Sequence, residues 1–63
     1  MNKITETLEG LKAFREKWGL TQVVCANEVG VSLLTWVLWE RGANKPSLEN
    51  WEKLQKFLAM YQE

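Results

Sequence analysis

Between Thr21 and Pro46 the chain reads TQVVCANEVGVSLLTWVLWERGANKP, in which hydroxyl residues and glycines alternate at intervals that leave room only for short helices. Thr21 can cap a helix start with its side-chain oxygen, and Gln22 through Glu28 follow as helix formers with Cys25 and Ala26 turned inward. Gly30 stands where the chain reverses and needs a positive φ. Ser32 then caps a second helix running from Leu33 to about Arg41, and Gly42 followed by Pro46 marks its end and the exit loop. Two short helices joined by a tight turn are therefore expected over residues 21–41.

The flanking segments supply longer helices. Ile4, Leu8, Leu11, Phe14 and Trp18 recur every three or four positions and line one side of a first helix, from about Thr5 to Lys17, that Gly19 ends. Gly10 falls off that stripe and costs the helix about 1 kcal/mol. Leu20 is expected to pack inward beside the next helix start. Ser47, after Pro46, caps a final helix whose inner side carries Leu48, Trp51, Leu54, Phe57, Leu58 and Tyr61. The four helices place the chain in the all-α class, as one compact domain over residues 1–63.

At 63 residues only about 60% of the unfolded surface can be buried. No cavity of enzyme size is expected, and with no histidine, no nucleophile beside a base and no glycine-rich phosphate loop, the chain does not read as an enzyme. The lone Cys25 excludes an internal disulfide and the usual zinc spacings cannot be built, so neither metal nor cofactor is expected and a reducing cytoplasm is the natural setting. Every apolar run is short and interrupted by charge, which argues against a membrane span. Eight basic residues balance eight acidic ones, so composition creates no general attraction to nucleic acid. Four tryptophans are many for this length; Trp39 and Trp51 are expected to add core area rather than to stack a cofactor.

The paired short helices follow the grammar of a helix-turn-helix, whose second helix is presented to a partner. Leu11, Phe14 and Arg15, then Gly19-Leu20-Thr21-Gln22, Ala26, Gly30-Val31-Ser32, Thr35, Trp39-Glu40-Arg41-Gly42 and Pro46-Ser47 resemble the lambda-repressor-like, Cro- or Xre-type DNA-binding domains. The resemblance runs from about Leu8 to Leu58 and implies a compact fold of four helices, or five where members continue into a dimer-forming helix. It implies double-stranded DNA as partner, with the third helix in the major groove and Gln22, Ser32, Arg41, Asn44 and Lys45 on the phosphates. It also implies that Arg15 and Glu40, 25 positions apart, form a structural ion pair. Cys25 takes a place where members carry a core residue, so a buried inert thiol is expected. Trp36 takes an inward place usually held by valine or isoleucine, where its size could bring an edge to the surface.

The presented face departs from that pattern. Leu33, Leu34, Val37 and Leu38 occupy positions where polar side chains would bond purine edges, and aliphatic groups can contact only thymine methyls. Val23 and Val24 stand where members carry charged or amide residues; Val24 cannot close a capping box with Thr21. With Glu40 set against Arg15, the stretch from Thr21 to Ser47 retains Arg41 and Lys45 against Glu28, which predicts weak, salt-sensitive DNA binding. Together the six aliphatics are expected to form an exposed patch of roughly a few hundred Å².

Two readings follow. The chain is a DNA-binding domain of a transcription regulator with an apolar reading face. Alternatively it is an engineered or repurposed protein-protein interaction module, a homodimer or a binder, on a repressor-like scaffold, with the same aliphatics at the centre and Arg41, Lys45 and Glu28 at the rim.

Overall fold

The computed structural model describes the backbone of residues 3–61 and the side chains of Leu8 and residues 10–61. Four helices follow one another as α1 (Lys3–Lys17), α2 (Gln22–Val29), α3 (Leu33–Arg41) and α4 (Leu48–Ala59), with no strand among the described residues. The all-α expectation holds. Ile4, assigned to the inner stripe of α1, lies outside the described side chains.

Local chemistry sets the element ends. Thr21 Oγ1 accepts from the Val24 amide at 3.1 Å, Ser32 Oγ from Thr35 at 3.1 Å and Ser47 Oγ from Asn50 at 3.2 Å, each satisfying an orphan donor of the first turn. At the other ends, Gly30 and Gly42 adopt left-handed φ values of 90° and 73°. Those conformations let the next residue's amide reach back five positions, from Val31 to the Ala26 carbonyl and from Ala43 to that of Leu38, both at 3.0 Å. Consequently α2 and α3 are separated by three residues, and the chain direction turns by 109° between them.

The core collects Leu8 and Leu11 of α1, Cys25, Ala26 and Val29 of α2, Trp36 and Trp39 of α3, and Leu54 and Phe57 of α4. An aromatic relay runs through it: Trp36 lies 6.1 Å from Trp39 and 6.0 Å from Phe57, which meets Phe14 edge-on at 5.8 Å and Tyr61 at 5.3 Å. Tyr61 in turn contacts Trp18 at 5.6 Å. Edge-to-face contacts of this kind add about 0.5–1.5 kcal/mol each beyond the area they bury.

Two expectations need correction and one is refined. Trp36 brings no edge to the surface: it is fully buried within the core, packed against Trp39 and Phe57, with its indole N–H bonded to Glu40. Trp51 packs against the core as expected but is only half-buried, so Trp36 joins Trp39 as the main aromatic mass of the interior and Trp51 adds area at its edge. Leu48, expected on the inner side of α4, is 75% exposed. Steps of three fall short of a full turn by about 60° each, so Leu48 lies roughly 120° around the helix from Leu54.

Candidate functional site

The interior residues of α3, Trp36, Trp39 and Glu40, return with helical period and fix the helix's rotation about its own axis. That rotation turns Leu33, Leu34 and Arg41 outward and leaves Val37 and Leu38 half-buried at the margins. Leu34 is the most exposed of the group at 65%, and Val23 and Val24 are exposed in the first turn of α2. None of the four α3 aliphatics is tucked inside the core, so the apolar outer face expected from the sequence is present, with Val37 and Leu38 contributing less than Leu33 and Leu34.

Behind that face sits a brace centred on Glu40. Arg15 donates from Nε to Glu40 Oε2 at 2.7 Å and from Nη2 to Oε1 at 3.2 Å, a two-pronged pairing of guanidinium and carboxylate. Gln22 Nε2 donates to Oε1 at 3.2 Å, and the Trp36 indole N–H donates to Oε2. Four donors fill the roughly four lone-pair sites of the carboxylate. The remaining arm of Arg15 donates from Nη1 to the Leu20 carbonyl at 3.3 Å. The Arg15–Glu40 pair thus ties α1, the loop before α2, the first residue of α2 and two residues of α3.

Electrostatics follow from that geometry. Burial opposes the charged form of Glu40, but hydrogen bonds from Arg15, Trp36 and Gln22 outweigh it and hold the carboxyl below its ordinary value. The hydrogen bond to Glu40 raises Arg15 further above an already high value. Burial pushes the Cys25 thiol up, with no carbon or polar surface left accessible to a reagent. No buried side-chain nitrogen or oxygen among the described residues lacks a partner.

Next to the brace is an open depression of about 580 Å³, lined by Lys12 and Arg15 of α1, Leu20, Thr21 and Gln22 at the α2 start, and Val37, Glu40 and Arg41 of α3. It gathers Gln22 and Arg41 from the residues assigned to phosphate contact and adds Lys12, which the sequence reading missed. Lys12 stands three before Arg15 on one helix face, and that spacing could have revealed it. Since Glu40 neutralises Arg15, Lys12 and Arg41 give the depression a net positive lining. Ser32 lies at the opposite end of α3, its hydroxyl engaged with the Thr35 amide and with Thr35 Oγ1 at 2.8 Å. Asn44 and Lys45 are exposed on the loop after α3 and do not line the depression.

Among the described residues no group of three His, Cys, Asp or Glu side chains is placed to hold a metal ion. No single helix there is long and apolar enough to cross a membrane. Comparison with protein-family profiles, with curated proteins and with solved structures returns no match.

Proposed function

We propose that the chain is a DNA-binding helix-turn-helix domain of a transcription regulator, with α3 lying in the major groove. The observation that carries the reading is the presentation of α3: its inner side is locked by Trp36, Trp39 and Glu40, while Leu33, Leu34 and Arg41 are exposed on the other side with Val37 and Leu38 half-buried at its margins. The three-residue junction and 109° turn after α2 fall in the range of helix-turn-helix units. A helix about 10–12 Å across fits a major groove about 12 Å wide. Lys12 and Arg41 then meet one phosphate flank and Lys45, with Asn44, another; Gln22 can add a neutral contact from the α2 start.

Three cations on phosphates give a slope of log affinity against log salt of about −2.7, or about 40-fold weaker binding between roughly 50 and 200 mM salt. Fluorescence polarisation of a mixed-sequence duplex tests this directly. Neutralising Lys12 with K12Q should flatten the slope by about one unit. Undetectable binding at tens of micromolar in low salt would overturn the reading.

A second reading is favoured by one observation: α2 as well as α3 exposes aliphatic side chains, Val23 and Val24. In it the same face is the centre of a protein-protein interface, with Arg41, Lys45 and Glu28 at its rim. Sedimentation of the protein and of its Leu34→Glu variant tests self-association; a monomer in both cases removes the homodimer form.

A further inference from the structure

Resting on the DNA-binding reading, we infer that α3 distinguishes pyrimidines by their C5-methyl group, so that the domain prefers thymine over uracil and 5-methylcytosine over cytosine in otherwise identical duplexes. Leu33 and Leu34 are exposed, Val37 and Leu38 lie at the edges of the same face, and none of the four carries a hydrogen-bonding side-chain group. Thr35 has its hydroxyl bonded to Ser32 at the base of the helix. Apart from Arg41 at the end of the helix, which this reading puts on a phosphate, the outward positions offer no partner for purine N7, O6 or N6 edges, and each such edge pressed against leucine loses its water without replacement.

The groove presents one kind of apolar group to such a surface, the methyl on pyrimidine C5. Thymine and 5-methylcytosine carry that methyl on the same ring carbon and at the same side of the groove. An aliphatic reader is accordingly blind to which of the two bases bears it.

Charge favours DNA over a second copy of the chain as the occupant. The outward side of α3 carries no carboxylate, since Glu40 is turned inward at 6% side-chain exposure, and its outward charge is the cation of Arg41. The adjoining depression adds Lys12.

Polarisation measurements with the full chain on four matched duplexes test the inference: one with thymine, the same with deoxyuridine at every thymine, one with cytosine, and the same with 5-methylcytosine. Burying one methyl corresponds to about fourfold in affinity, so two contacts give about fifteenfold in favour of each methylated duplex. Both pairs should show it, and Leu34→Ala, a change at an exposed position, should shrink both ratios while Arg41→Gln weakens all four duplexes alike. Equal affinities within each pair, with salt-dependent binding retained, overturn methyl recognition and leave duplex binding intact. Discrimination in the thymine pair alone overturns the equivalence of the two bases. Ratios unchanged by Leu34→Ala assign the preference to duplex stiffness and also overturn it, and failure to bind any of the four removes both this inference and the reading beneath it.

Discussion

Glu40 accepts from three residues on α1, α2 and α3, and a double-mutant cycle with Arg15 measures how far the three helices depend on it. Side-chain exposures of 16% for Arg15 and 6% for Glu40 put the pair largely inside. Removing one partner of a buried ion pair costs about 3–5 kcal/mol, because the other is left without compensation. A chain of 63 residues at roughly 0.05–0.15 kcal/mol per residue has about 3–9 kcal/mol in total. Either Arg15→Ala or Glu40→Ala should therefore remove a large share of the stability, and the double variant should lose far less than the two losses added together. A coupling of at least about 1.5 kcal/mol is expected, within the range seen for residues of one network. Urea denaturation followed by far-UV circular dichroism gives the stabilities. Tryptophan fluorescence should be recorded alongside but not alone, since Trp36 loses its own bond to Glu40 in the variant. Single losses that add within about 0.5 kcal/mol would mean that the two side chains act independently and would refute the brace.

Acid should act through the same carboxylate. With its folded value held below the unfolded one, near about 4.3, Glu40 contributes stability that is fully present above that value and is lost as pH falls through the lower folded one; urea midpoints against pH should show this, and the Arg15→Ala/Glu40→Ala variant should show it less. Gly10 sits within α1 with open space where a side chain would begin, so Gly10→Ala should stabilise by about 1 kcal/mol, read as a raised urea midpoint. Gly42→Ala also meets open space but must hold φ near 73°, and should destabilise by about 1–2 kcal/mol on the same measurement. Cys25, fully buried with its thiol pushed up by that burial, should react with an alkylating reagent only as fast as the protein opens, so mild urea should accelerate modification steeply.

The boundaries of α2 and α3 were legible because capping is local: Thr21, Ser32, Gly30 and Gly42 each act on atoms within five residues of themselves. The interior stripe of α1 over Leu8, Leu11 and Phe14 and that of α4 were legible for the same reason, except where a count by threes carried Leu48 off the buried side. The Arg15–Glu40 pair spans 25 positions and was anticipated through resemblance to other sequences, not from anything local. Its two further arms were missed. Trp36 lies four residues before Glu40 on one helix, so its reach could have been read from spacing, whereas the bond from Gln22 depends on how α2 docks against α3. Lys12 joined the site only once α1 was laid beside the ends of the other two helices.

The way α3 is held has an evolutionary corollary. Its anchoring positions, Trp36, Trp39 and Glu40, interleave with Leu33, Leu34 and Arg41, which touch little of the rest of the molecule. Exposed positions of that sort usually tolerate exchange within about 0.5 kcal/mol. The outer half of α3 can thus be rewritten while the scaffold stays folded, so the chemistry of that surface can change by a handful of substitutions, and a designer can exchange it residue by residue.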